Sequence, residues 1–375
     1  MRIPKHAKGP IVNSDLTESR IREARLYEQL IDHRVQCHTC ERHCVVSEDE
    51  LGFCATRKNI DGRLCTLGYG EIAVISANPI EKKPFFHFHP GTKALTIGSW
   101  SCNFTCPWCQ NYDISKSPQN IGKGQYISPG TFIELVRRSQ CQGTSVSFNE
   151  PTMLFEYSLD VFDLAEQEGY YNTYVTNGYM TTDALDMLVA HGLHAMNIDI
   201  KGDAEVLRKY CGADVEIVWR NAALAKELGV WVELTTLIVP GVNDTEPELG
   251  HIALRIKEEL GVDTPWHLTA YRPAYKFASQ PHVPGTEVNT LERARAIGKA
   301  KGLMYVYVGN VPGHQYEDTY CHRCQQLIIE RFGFAITRYC LTADKRCPNC
   351  GQTIPMVGEP MLEPYDQVEG EIEEG

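Results

Sequence analysis

Three cysteines, Cys102, Cys106 and Cys109, stand close together in the run Ser101-Cys102-Asn103-Phe104-Thr105-Cys106-Pro107-Trp108-Cys109-Gln110-Asn111. Their spacing is C-x3-C-x2-C. Four thiolates saturate a cubane iron–sulfur cluster. Three leave one iron without a protein ligand, and an open position on a metal is where a small molecule can bind and react. A structural zinc site, or a four-cysteine cluster completed by a distant cysteine, is the competing reading. The apolar run Ala94-Leu95-Thr96-Ile97-Gly98 precedes the loop and reads as a strand. The cysteines therefore fall just past the C-terminal end of a strand, where parallel barrels keep their active sites.

Two further cysteine sets flank this loop. Cys37, Cys40, Cys44 and Cys54 follow C-x2-C-x3-C-x9-C. Four soft ligands in so short a span can close a zinc site or hold an iron–sulfur cluster, and spacing does not separate the two. Cys321 and Cys324, then Cys347 and Cys350, form two C-x2-C knuckles around a hairpin-like segment. Paired knuckles point to a small metal-bound ribbon, with structural zinc the expected metal. Cys65 lies close enough to the first set to be a fifth candidate, though a buried free cysteine is the better reading. Cys340 is not expected to be a ligand. Cys141 and Cys211 have no partner at ligand spacing and read as small buried hydrophobes.

The elements that must carry these residues are an α/β series. From residue 94 to about 310, strand-like runs at 94–99, 144–149, 172–176, 195–200, 231–239, 266–270 and 304–308 alternate with helix-like stretches near 129–140, 154–168, 181–191, 214–228, 245–260 and 289–301. Ser128-Pro129 and Thr181-Thr182-Asp183 mark two helix starts. Such alternation implies parallel strands joined by crossover helices. The units are too few to close an eight-fold barrel, so an open (β/α)6 partial barrel is expected. Polar residues gather at the strand ends: Asn149-Glu150-Pro151, Thr176-Asn177-Gly178, Asp199-Ile200-Lys201, Val242-Asn243-Asp244 and Tyr271-Arg272. The expected division is an N-terminal helix (15–32) and cysteine segment over 1–78, the barrel over 79–312, a ribbon over 313–358 and an acidic tail over 359–375. The pair Lys82-Lys83, in a proline-bounded stretch, is expected to be solvated. For Asp199 and Lys201 a buried ion pair is the lesser, competing reading.

Composition narrows the class. The 375-residue chain is 43% hydrophobic with a net charge of −12 and no basic block, which argues against general nucleic-acid binding. Met1–Pro10 is basic without an apolar run, so no signal peptide is expected, and no stretch approaches the roughly 18 apolar residues that would span a membrane. Fifteen cysteines without an export signal suit thiolate metal sites in a reducing cytoplasm.

The cysteine loop resembles the motif of the radical S-adenosylmethionine (radical SAM) superfamily, C-x3-C-x-aromatic-C, with Trp108 in the aromatic place. The strand ends at Asn149-Glu150-Pro151, Thr176-Asn177-Gly178 and Asp199-Ile200-Lys201 are similar to those of the glycyl-radical activating enzymes, although that branch often has glycine at the position of Asn149. The N-terminal cysteines, the Ile80-Glu81-Lys82-Lys83-Pro84 stretch, the Cys102–Asn111 loop and the late knuckles together resemble the radical SAM member of the AmmeMemoRadiSam system, often labelled as pyruvate formate-lyase activating enzyme-like. The resemblance implies a [4Fe–4S] cluster on Cys102, Cys106 and Cys109, and SAM chelated to the open iron. It implies SAM contacts from Trp108, Asn149, Glu150, Asn177, Asp199 and Lys201. It also implies an electron donor such as flavodoxin or ferredoxin, and hydrogen abstraction from an unassigned substrate: a glycine on a protein for an activase, or a small molecule. An electron carrier or metal-stabilised interaction protein is the alternative from another class, and it would not need the SAM-holding strand ends.

Overall fold

The computed structural model describes residues 20–362. Eight strands form the main sheet: β1 (Val74–Pro79), β2 (Lys93–Gly98), β3 (Gly143–Val146), β4 (Tyr171–Thr176), β5 (Ala195–Asp199), β6 (Trp231–Ile238), β7 (Trp266–Ala270) and β8 (Val306–Gly309). They lie in simple sequence order, and the two edge strands β1 and β8 do not pair. Strands β2 to β8 are parallel; β1 runs antiparallel to β2, from Val74 opposite Gly98 to Pro79 opposite Lys93. Six helices make the crossovers: α1 (Pro129–Arg138), α2 (Phe155–Gln167), α3 (Thr182–Ala190), α4 (Val215–Glu227), α5 (Glu246–Arg255) and α6 (Val288–Ala300). This is the open α/β barrel expected, with one antiparallel strand added at its edge.

The helices start where side chains can satisfy free N–H groups. Ser128, Thr181, Asp214 and Thr245 each accept a backbone N–H from the first turn of α1, α3, α4 and α5. Each helix then buries one face on the sheet. Phe132, Phe162, Leu185, Trp219, Leu249 and Leu291, one from each helix, share a buried cluster with Leu95, Ile97, Met196 and Ile198 from the strands. Burying one such side chain contributes about 1.5–3 kcal/mol, so the six contacts hold the strand ends in a fixed order.

The N-terminal segment departs from expectation. A helix was expected over 15–32; residues 15–19 lie outside the described residues, and 20–32 contain the short strands Arg22–Glu23 and Tyr27–Gln29. Arg22–Glu23 pairs with Arg63–Thr66, and Tyr27–Gln29 with Val35–Cys37. The spacing that looked helical does not build a buried face, since Ile21 and Ile31 are 46% and 75% exposed. Ala24 and Tyr27 instead pack with Val35, Cys37, Val46 and Leu64 around the cysteine segment. The boundary placed at residue 78 falls inside β1.

At the other end, Leu327–Phe332 and Ala335–Tyr339 form the expected hairpin. The tail beyond Leu362 lies outside the described residues. No helix among the described residues is long and apolar enough to cross a membrane.

Candidate active site

The C-terminal ends of the barrel strands open on a cleft of about 480 Å3. Cys102, Cys106, Cys109, Trp108, Asn149, Glu150, Asn177, Asp199 and Lys201 all line it. Residues spread over 100 positions of sequence thus line one cleft, each delivered by the end of a barrel strand or the loop after it.

The cysteine loop is fastened from behind. Asn149 accepts the Ser99 N–H at 2.9 Å and donates to the Ser101 carbonyl at 3.0 Å. Glu150, buried, accepts from Thr152 N–H, Thr152 Oγ1, Thr176 Oγ1 and the Asn177 N–H, all within 3.2 Å. Four donors nearly fill a carboxylate's acceptor sites. Burial pushes this carboxyl up, and the four hydrogen bonds pull it back. Asn177 Nδ2 donates to Asn103 Oδ1 at 2.7 Å and lies 3.8 Å from Cys102 Sγ. Asn149, Glu150 and Asn177 therefore tie the ends of β3 and β4 to the cysteine loop.

Asp199 and Lys201 are different. Their ion pair, 2.9 Å, is part-exposed to the cleft, with no other side chain among the described residues hydrogen-bonded to either head group. Burial pushes the Lys201 ammonium down, but Asp199 and the thiols of Cys106 and Cys211 outweigh it and hold the charge on. The pair offers one acceptor and one donor side by side, the complement of an amino acid's two ends.

The thiols suit a cluster better than one ion. Around one zinc, sulfurs about 2.3 Å from the metal stand roughly 3.8 Å apart. No three of Cys102, Cys106 and Cys109 meet that closely, whereas a cubane holds its ligands wider apart. Cys102 Sγ accepts the Phe104 N–H at 3.3 Å, and Cys109 Sγ lies 3.0 Å from Ser115 Oγ. Such donors to sulfur orient ligands and tune a metal centre.

Cys211 was expected to have no partner, yet its Sγ lies 3.2 Å from Cys106 Sγ. Either sulfur can donate to the other across this contact. Cys211 is fully buried and does not reach the cleft. Its isolation in the sequence, between no ligand-spaced partners, left no signal for this contact.

The other two sets also converge. Cys321, Cys324, Cys347 and Cys350 hold their sulfurs within 4.8 Å of one another, the one such grouping of three or more ligating groups among the described residues. Cys321 to Cys350 and Cys324 to Cys347 are each 3.6 Å, close to the spacing around a single tetrahedral ion. Cys37, Cys40, Cys44 and Cys54 line a separate small cavity together with Asn103, Arg57 and Met153. That segment docks beside the first loop: Arg42 donates to the Asn103 carbonyl at 2.7 and 2.9 Å, and Ser101 Oγ to the Cys54 carbonyl at 2.5 Å.

Several cleft residues were not anticipated. Lys83, expected in solvent, is 3% exposed and lines the cleft. Lys82 is the exposed member of the pair. Lys82 ends the short 3-10 turn Ile80–Lys82 and Lys83 caps it, a local geometry with no signal in the sequence. Glu233, buried on β6, accepts the N–H groups of Phe86 and His87 and a 2.7 Å bond from His267. The hairpin turn contributes Gly333 and Phe334 to the cleft wall. Arg272 is exposed and outside the cleft, while His267 lines it.

Comparison with known proteins gives the family. Residues 99–250 match the family model described as the Radical SAM superfamily. An uncharacterised protein of Methanocaldococcus jannaschii is 43% identical over 338 residues, 90% of this chain and 100% of that protein. A putative glycyl-radical enzyme activating enzyme of the same organism is 24% identical over 47% of this chain and 67% of its own length. Among solved structures, a radical SAM methyltransferase from Sphaerobacter thermophilus covers 77% of each chain at 14% identity, with a TM-score of 0.43. The family model falls on the cysteine loop and the strand ends that meet at the cleft, and the chain belongs to the Radical SAM superfamily.

Proposed function

We propose that this protein cleaves SAM reductively and uses the resulting radical to remove a hydrogen atom from a substrate bound in the same cleft. Cys102, Cys106 and Cys109 would hold a [4Fe–4S] cluster. Such a cluster, with SAM on its open iron, supplies one electron to the sulfonium and yields methionine and the 5′-deoxyadenosyl radical. The observation that carries this reading is the placing of three thiols and the Asp199–Lys201 pair in one cleft.

The chain's own residues then have distinct work. Asp199 takes the amino end of SAM and Lys201 its carboxylate. Glu150, Asn149 and Asn177 hold the cysteine loop rigid against the strand ends rather than offering free charge. Trp108 packs against Tyr210 and Phe277 under the loop and keeps water from its underside. Leu237, at the end of β6, gives the adenine an apolar wall. The electron comes from a carrier such as flavodoxin or ferredoxin in a reducing cytoplasm. The substrate is unassigned, and the relative described as a glycyl-radical activating enzyme keeps a protein glycine among the candidates.

The C-terminal knuckles hold structural zinc. The N-terminal four cysteines hold a second iron–sulfur cluster rather than zinc, because their sulfurs share a cavity without drawing to single-ion spacing. Anaerobic reconstitution followed by SAM and dithionite tests the main reading. Wild type should produce 5′-deoxyadenosine, and Cys106→Ala should fall to the protein-free background. Sustained production by that variant would defeat the proposal.

A further inference from the structure

Lys83 has no use in the chemistry above. Its side chain is buried to 3% exposure on the wall of the cleft, and its Nζ makes no hydrogen bond or ion pair among the described residues. Its one contact there is the face of Phe148, 4.3 Å from Nζ to the ring centroid. The other cleft ammonium groups are engaged or wet: Lys201 on Asp199, Lys116 on the Phe104 carbonyl, Lys82 exposed beside Phe334. A buried ammonium without an acceptor costs several kcal/mol and is retained only where something compensates it.

The backbone around Lys83 is held from both sides. Glu233 accepts the N–H groups of Phe86 and His87, and Asn197 Nδ2 donates to the Pro84 carbonyl at 2.8 Å. From the C-terminal side, Arg331 donates to the Phe86 carbonyl at 3.0 Å, and Val357 exchanges backbone bonds with His87 and His89. The backbone that carries the amine is therefore fixed, with the side chain buried on the cleft wall. We propose that Lys83 binds an anionic group of the substrate, a carboxylate or a phosphate, in this cleft.

The inference rests on the reading of the cleft as a SAM site, and it gives the substrate a class. SAM's own carboxylate is the rival occupant, but Lys201, paired with Asp199 in the same cleft, is the cation assigned to it. Burial, with the Lys82 charge beside it, pushes the Lys83 ammonium down to about 7, and an arriving anion reverses both effects.

Malonate and inorganic phosphate serve as probes, each titrated by calorimetry into the reconstituted wild type, Lys83→Met and Lys83→Arg with SAM present. At least one anion should bind wild type, bind Lys83→Met at least about tenfold more weakly, in line with loss of a charge-assisted contact, and recover within threefold in Lys83→Arg. Which of the two binds separates a carboxylate from a phosphate substrate. Equal binding to wild type and Lys83→Met, no binding to wild type, or displacement of SAM by the anion each overturns the proposal. SAM binding to wild type alone is measured first; its absence defeats the reading of the cleft, whereas its presence without anion binding defeats only the role of Lys83.

Discussion

The N-terminal and C-terminal cysteine sets look alike in sequence and fold differently. Both carry four cysteines with a C-x2-C opening. At the C-terminus the two knuckles approach from opposite ends of a hairpin, and cross-knuckle sulfurs settle 3.6 Å apart. At the N-terminus the four thiols come from one winding segment, and no three of them meet within 4.8 Å. Spacing tells which residues can share a metal; the backbone that carries them decides how much metal fits between. The surroundings differ too. The knuckles pack among Tyr305, Tyr307, Ile328 and Ile354 in their own small cluster. The N-terminal set shares Asn103 with the barrel's cysteine loop, and Asn103 Nδ2 is buried without a hydrogen-bond partner on that side.

The contrast breaks most visibly when a ligand is removed from each site. Cys347→Ser should lose about one zinc per chain and expose the region beyond residue 313 to proteolysis, since structural zinc supplies about 10–16 kcal/mol to small peptide sites. Cys37→Ser should instead lose roughly four irons, the content of one cubane, while keeping its zinc. Metal analysis of the two variants after anaerobic reconstitution decides between them. Zinc lost from both, with iron unchanged in Cys37→Ser, would make the N-terminal site a second single-ion site.

A smaller effect is expected from the joint that holds the N-terminal set to the barrel. Arg57, which lines its cavity, forms a two-pronged buried pair with Glu156 on α2 at 2.8 and 3.0 Å. Burial pushes the Arg57 guanidinium down, but Glu156 outweighs it and keeps it charged. Glu156→Ala leaves that charge buried and alone, a loss of about 3–5 kcal/mol. Thermal unfolding should register it as a lower midpoint, with earlier loss of iron than of zinc. No hydrogen bond or ion pair among the described residues joins the C-terminal module to this pair, so simultaneous loss of both metals would contradict the separation of the two regions.

The barrel was legible because its signals are local. Alternation of apolar runs with 3.6-spaced stretches, and caps at Ser128 and Thr181, mark elements that the structure keeps within a few residues. The cysteine loop and the polar strand ends followed, since a parallel strand delivers its end to one rim whatever its neighbours do. The illegible parts are set by distant contacts. Residues 20–32 carry helix-like spacing, but pairing with Arg63–Thr66 and Val35–Cys37 outweighs that weak preference. Lys83 reads as solvent-facing because the contacts that fix its stretch are distant: Glu233, 150 positions away, accepts the N–H groups of Phe86 and His87, three and four residues on. Cys211 meets Cys106 only because the turn after β5 folds back under the loop, where Arg42 donates to the carbonyls of both Asn103 and Cys211.

That last contact carries the smallest expected effect and bears on the whole chemistry. If Cys211 were a fourth cluster ligand, no iron would remain open and SAM would have nowhere to chelate. The geometry argues otherwise: Cys211 sits behind Cys106, fully buried, sharing that sulfur's surroundings instead of facing a separate corner of the cleft. Cys211→Ala removes a small buried thiol and should cost at most a few kcal/mol of stability. Its iron content and SAM affinity should stay within about twofold of wild type, where Cys106→Ala loses both. Iron loss in Cys211→Ala equal to that in Cys106→Ala, at an unchanged thermal midpoint, would make the barrel cluster a closed four-thiolate centre. It would then resemble the N-terminal set, and both could do no more than pass electrons.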